Sequence, residues 1–223
     1  MRHLLLAVPV AMLAVVSWAG DLCFDTVTAI PVQSPTGVTT SIDVPCDGDQ
    51  FIHDLDLEIR IQHTWIGDLE VTLAKQDGPS ELVIDRIGAP GIGPFGCAGD
   101  DIDAMLNDEA ASAVEHECGT GIPSIQGELI PGDPPAPLLS SFDGLEFCGT
   151  WELNIADIAG ADSGVLQSWC LLPTVGDTPP PPQADVPATN GGGRVVLILV
   201  LLGSAAALQF KRMSRPTSRG SRR

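Results

Sequence analysis

Residues Leu55 to Leu73 read LDLEIRIQHTWIGDLEVTL, and this stretch carries the clearest fold signal in the chain. Apolar residues alternate with polar ones in both halves: Leu55, Leu57, Ile59 and Ile61, then Leu69, Val71 and Leu73. That period of two predicts a pair of half-buried strands, each turning one face inward. The connection His63 to Asp68 contains Gly67 and Asp68, residue types that suit a tight turn. It also contains Trp65 and Ile66, large apolar residues that predict a packed corner closing one end of a core.

Outward from this stretch the same signals recur. Thr26–Val32 and Thr39–Val44 read as strands around a Ser34-Pro35-Thr36-Gly37 turn. Glu81–Ile87, Thr150–Ala156 and Val165–Leu172 read as further strands, the last two separated by a turn loop from Asp157 to Gly164. Gly88–Gly99 is too rich in glycine and proline for regular structure. Asp100–Glu117 is dense in acid with some helical character, and Gly119–Pro137 reads as loop. The expectation is an all-β sandwich of about eight strands.

Both ends look like appendages. Met1-Arg2-His3, the apolar run Leu4–Val16 and Ser17-Trp18-Ala19 fit a secretory signal helix cut after Ala19. At the other end a Pro/Gly-rich linker, 174–193, leads to Arg194 and the uncharged run Val195–Phe210. A tail with six basic residues and no acidic one follows, 211–223. An apolar run followed by cations is a stop-transfer pattern, so residues 194–210 are expected as a transmembrane or sorting helix with a cytoplasmic tail. The domain between, 20–173, is then exported.

All 29 acidic residues lie between Asp21 and Asp185, where Arg60, Lys75 and Arg86 are the basic ones, a net −26. Such a surface repels nucleic acid and anionic membranes, which makes both poor partners for the exported part. It suits cations, calcium first among them. Six cysteines, Cys23, Cys46, Cys97, Cys118, Cys148 and Cys170, follow the signal and read as three disulfides. Sequential pairing is expected, with Cys97–Cys118 closing an irregular loop and Cys148–Cys170 stapling a hairpin.

Four blocks, in order, resemble a known module. Ile61-Gln62-His63-Thr64-Trp65-Ile66-Gly67-Asp68-Leu69-Glu70-Val71-Thr72-Leu73 is similar to the I-x-H-(T/S)-(Y/W)-I-G-D-L-x-(I/V)-x-L signature of the P domain, or Homo B domain. Asn107-Asp108-Glu109-Ala110 resembles that family's D-D-E-A, with Asn107 in place of the first Asp. Phe142-Asp143-Gly144 with Gly149-Thr150-Trp151-Glu152-Leu153 resembles F-x-G followed by G-x-W-x-L. Asp157, Asp162, Gly164, Leu166 and Trp169 fit D-x(4)-D-x-G-x-L-x-x-W. The resemblance covers Ile30 to Leu172. It implies a jelly-roll-like β-sandwich, the non-catalytic domain that follows the subtilisin-like catalytic domain in kexin- and furin-type proprotein convertases. There it stabilises the protease and tunes its calcium dependence. This sequence leaves about ten residues between Gly20 and the start of the resemblance, so a stand-alone module is expected.

No nucleophile motif accompanies His53, His63 or His116, and the chain is read as a non-enzyme. His63 is read as a structural hydrogen-bonding residue. Calcium takes six to eight oxygens, usually gathered from loops. Asp68, Asp100, Asp101, Asp103, Asp108 and Glu109 are candidate ligands at one end of the sandwich, with Asp157 and Asp162 bracketing another loop. Gly191, Gly192 and Gly193 ahead of the apolar run are similar to Gly-Gly-type bacterial sorting signals cut by a membrane-embedded protease. The partner expected is an exported subtilisin-like protease or another surface protein. The alternative is a surface adhesion or carbohydrate-binding module.

Overall fold

The computed structural model describes residues 22–133 and 139–181. Ten strands form two sheets: β1 (Cys23–Phe24), β2 (Thr28–Ile30), β3 (Ser34–Val44), β4 (Phe51–His63), β5 (Leu69–Lys75), β6 (Ser80–Asp85), β7 (Ile102–Leu106), β8 (Ile125–Leu129), β9 (Gly149–Asp157) and β10 (Gly164–Gly176). One sheet runs β1-β10-β4-β7-β8, with β2 also on β10; the other runs β3-β9-β5-β6. Every pairing is antiparallel except β7 with β8.

Alternation along β4 buries Leu55, Leu57, Ile59 and Ile61, as the periodicity demands. They meet Val71 and Leu73 of β5, Trp151, Leu153 and Ile155 of β9, and Trp169 and Leu171 of β10 in one core. Each fully buried side chain of this size contributes about 2 kcal/mol. The Trp169 indole N–H crosses the sandwich to the Thr40 hydroxyl, 2.9 Å away. The strands flanking the opening stretch therefore belong to different sheets, and His63–Asp68 is the corner where the chain changes sheet. Ile66 is fully buried there, whereas Trp65 lies half-buried and donates its indole N–H to the Phe95 carbonyl at 2.8 Å. The corner plug is Ile66. A Cβ on Gly67 would stand 2.6 Å from the Cys97 amide nitrogen, so only glycine admits this approach.

Several expectations change. Ser34-Pro35-Thr36-Gly37 is no turn between strands but the irregular first part of β3, where the register on β9 slips between Ser34 and Val38. Gly37, at φ +59, sits where a side chain would run into the Ile155 carbonyl. The acidic run Asp100–Glu117 contains β7 and a short 3-10 turn, Val114–His116, and Gly119–Pro137 contains β8. Strand β10 continues through Thr174 and Val175, which pair with Asp54 and Ile52, so the sheet outlasts the composition change at 174.

The disulfides are Cys23–Cys170, Cys46–Cys148 and Cys97–Cys118. The expected Cys97–Cys118 bridge is present. Cys148–Cys170 is not, because β9 and β10, though consecutive, lie in different sheets. Cys23 instead faces Cys170 in the β1–β10 register, and Cys46 and Cys148 follow and precede the neighbouring ends of β3 and β9. With no free cysteine, the domain belongs to an oxidising compartment. Among the described residues no helix is long and apolar enough to cross a membrane. The expected signal (1–19), most of the linker, Gly191–Gly193, the apolar run (194–210) and the basic tail lie outside the described residues.

Candidate metal centre

Strand β4 carries a different acidic site at each end. Its C-terminal end is the corner. The His63 ring, 2% exposed, is held on both nitrogens. Its Nε2 stands 3.4 Å from Asp157 Oδ2, and Nδ1 is 3.1 Å from the Trp65 amide nitrogen. Nδ1 also stands 2.9 Å from the Trp65 carbonyl oxygen, so a proton on Nδ1 serves that carbonyl and a proton on Nε2 serves Asp157. Asp101 Oδ1 accepts the His63 N–H at 3.0 Å, and the Asp101 N–H returns to the His63 carbonyl at 3.1 Å. The Thr64 hydroxyl donates to Asp162 Oδ1 at 2.9 Å. Asp68 is buried beside them; burial raises its carboxyl above the ordinary range, and the Asp157 and Asp162 charges raise it further. Asp100 donates its N–H to the Ser124 hydroxyl, 2.9 Å away.

The N-terminal end of β4 gathers the other acids. Leu57 pairs with Leu106, the last residue of β7, so the loop that follows β7 passes beside Asp54 and Asp56. One carboxylate oxygen from each of Asp54, Asp56 and Glu109 lies within 4.8 Å of the others. Oxygens on one calcium ion, each about 2.3–2.6 Å from it, are separated by no more than about this distance. Asp108 fixes the loop: its carboxylate accepts the Leu139 N–H at 3.3 Å and the Ser140 N–H and hydroxyl, each at 2.7 Å.

Burial pushes the Asp56 carboxyl up to about 6, with Asp54, Glu109, Glu128 and Asp108 adding to the effect. Burial likewise pushes Asp143 up to about 6, with Asp54, Asp108 and Glu109 adding and His53 opposing. Asp56 Oδ1 and Asp143 Oδ1 are both enclosed without a hydrogen-bond donor among the described residues. Enclosed acceptors of this kind call for a proton, a donor or a cation.

The predicted ligands are thus divided. Asp68, Asp101, Asp157 and Asp162 meet at the corner and Asp108 with Glu109 at the far end, seven residues of β4 between Asp56 and His63 being about 23 Å. Among the described residues, the one set of three converging ligand atoms is Asp54, Asp56 and Glu109. The sequence does not single out Asp54 or Asp56, which flank and alternate with apolar Leu55 and Leu57 like ordinary polar strand positions, and Asp143 lies in their field outside the converging set. The four blocks of the signature pair off in space: the first with the fourth through His63 and Asp157, the second with the third around Asp108 and Asp143.

No protein-family model and no curated protein matches the sequence. Two solved structures overlap it across 72% of this chain. One is the complex of the Aeromonas sobria serine protease with the chaperone ORF2, at 14% identity and a TM-score of 0.39. The other is the serine protease of Aeromonas sobria, at 16% identity and a TM-score of 0.35. The chain spans about a quarter of the length of each, 26%. Both scores are too low to equate the folds.

Proposed function

We propose that this chain is a non-catalytic, calcium-binding β-sandwich of the P/Homo B type that docks to or stabilises an exported subtilisin-like serine protease. The convergence of Asp54, Asp56 and Glu109, with an Asp56 oxygen enclosed and unpartnered among the described residues, supports the calcium-binding part of this reading; the four sequence blocks support the protease-docking part. Calcium there would neutralise a cluster whose carboxyls otherwise compete for protons. It would also tie β4 to the loop after β7, making the rigidity of that end depend on the ion. The His63–Asp157 contact belongs to the scaffold: both ring nitrogens are engaged within the protein and the ring is buried.

The domain is exported, and residues 194–210 hold it at the membrane or mark it for cutting near Gly191–Gly193. Mass spectrometry of surface-localised protein should find a terminus at those glycines; an intact Arg223 contradicts the cut. The docking role is tested by using the mature domain as bait for exported proteins, with and without EGTA. A subtilisin-like protease should be retained with calcium and released by EGTA. Recovery of no protease under either condition overturns docking while leaving calcium binding open to direct measurement.

A further inference from the structure

A second charged site shares no residue with the acidic cluster. Between β6, the loop at 88–92 and the 3-10 turn Val114–His116 lies a cavity of about 700 Å³. Leu82, Pro90 and Ile92 supply apolar wall; Asp85, Glu115 and Asp133 supply negative charge. Glu115 is 8% exposed. Its Oε1 accepts the Asp85 N–H at 2.6 Å, while Oε2 is enclosed with no donor among the described residues. A carboxylate held this way has one oxygen committed to the fold and a second closed off behind the cavity wall, so that it acts on a cation in the cavity through its charge.

We propose that this cavity takes the cationic head of a lysine or arginine side chain on a partner polypeptide, with Glu115 and Asp85 facing the charge and Leu82, Pro90 and Ile92 seating the aliphatic stem. A metal ion fits less well, since the converging ligand triad among the described residues lies elsewhere. A guanidinium or ammonium spreads several N–H donors over separated acceptors, as these carboxylates require. The surroundings favour a polypeptide over a free amine. Ile92, 52% exposed, is shared with a neighbouring groove lined by Phe95 and Ile122, themselves 69% and 72% exposed. That groove offers apolar contact next to the cationic site, so the fitting segment has a basic residue beside an apolar one.

Protonation couples to this binding. Burial pushes the Glu115 carboxyl up to about 7; the Asp85 N–H opposes this, the Asp85 and Asp133 charges add to it, and His116 lowers it. A cation therefore binds the ionised form, and affinity should rise from pH 6 to pH 8.

The test is a titration of isotopically labelled domain with blocked Ala-Arg-Leu and Ala-Lys-Leu peptides, followed by amide shifts. Peptides with citrulline or norleucine in the central position, and free butylamine, are the controls. The Arg and Lys peptides should shift the amides of Ile92, Glu115 and His116 and bind about tenfold or more tightly than the neutral peptides. Glu115→Gln should lose that preference and its pH dependence. Asp85→Asn, at an exposed position, should weaken binding with the fold intact and serves if Glu115→Gln does not fold. Equal binding of the citrulline peptide, shifts confined to other residues, or undiminished binding in a folded Glu115→Gln or Asp85→Asn domain overturns the proposal. Butylamine binding as tightly as the Lys peptide overturns its polypeptide half. None of these outcomes depends on calcium, so they separate this site from the metal reading.

Discussion

Asp108 accepts both the amide and the hydroxyl of Ser140 at 2.7 Å, joining the loop after β7 to the 3-10 turn Leu139–Phe142 across 32 residues. This joint holds Glu109 beside Asp54 and Asp56 and brings Asp143 into the same field. Charge-assisted hydrogen bonds of this kind are worth more than neutral ones, about 1.5–3 kcal/mol each. Asp108→Ala should therefore lower stability by about 2–3 kcal/mol, read as a shift of the urea midpoint. It should also weaken calcium binding, although Asp108 is placed here as an anchor of the loop. A variant that loses stability yet binds calcium as tightly as the parent would show that the loop position does not matter to the ion.

At the opposite end of β4, removing the carboxylate of Asp157 leaves the buried His63 ring without its Nε2 partner and Ala159 without an acceptor. The expected cost of Asp157→Ala is about 2–4 kcal/mol, offset in part because Asp68 loses a repelling neighbour. Thermal melts of the variant check this. A melt within a degree or so of the parent would mean that the corner does not rely on the pair.

The raised carboxyls fix a direction for pH. Asp56 and Asp143 go from 3.8 to about 6 on folding, so between about pH 4 and 6 the folded chain holds more protons than the unfolded one. Stability contributed by these groups is fully present below about pH 4 and is lost as pH rises through about 6. Glu115, at about 7, extends the decline upward. Urea midpoints in EGTA should therefore show this component falling across the window, with Asp56→Asn flattening it and calcium removing most of it. The same slope in Asp56→Asn as in the parent assigns the pH dependence to other groups.

Disulfides enclosing different loop lengths should differ in worth. Cys23–Cys170 spans 147 residues and Cys97–Cys118 spans 21. The chain-entropy relation gives about 5 and about 3 kcal/mol respectively. Replacing each pair by serine and comparing urea midpoints tests the order. The shorter bridge has a local signature as well, since it secures the Gly88–Gly99 loop against the corner through the Gly67 N–H to Cys97 carbonyl bond at 3.0 Å. Amide exchange in that loop should quicken when it is removed.

Alternation made β4, β5, β9 and β10 legible, because one face of each is buried and the other is not. Strand β7 was hidden. Its pattern Ile102, Ala104, Leu106 is short, and the acidic run around it resembles a helix face. Strand β8 offers only Ile125 and Leu129 as apolar ends, with Gly127 between, and owes its existence to its pairing beside β7. Which cysteines meet could not follow from spacing, because pairing obeys the sheet order and β9–β10 changes sheets. The same holds for the acids. Asp108 and Glu109 stood out in a block, but Asp54 and Asp56 join Glu109 only through the β4–β7 register.

The most direct measurement is the melting temperature of the mature domain at pH 7 with 5 mM calcium against EGTA, in the parent and in Asp54→Asn/Asp56→Asn. An ion bound with a dissociation constant of about 0.1 mM, typical of extracellular modules, stabilises by about 2 kcal/mol at that concentration. For a domain of this size the rise should be about 5 °C or more in the parent, and near zero in the double variant. Identical melts with calcium and EGTA in the parent, or an undiminished rise in the double variant, would contradict the account.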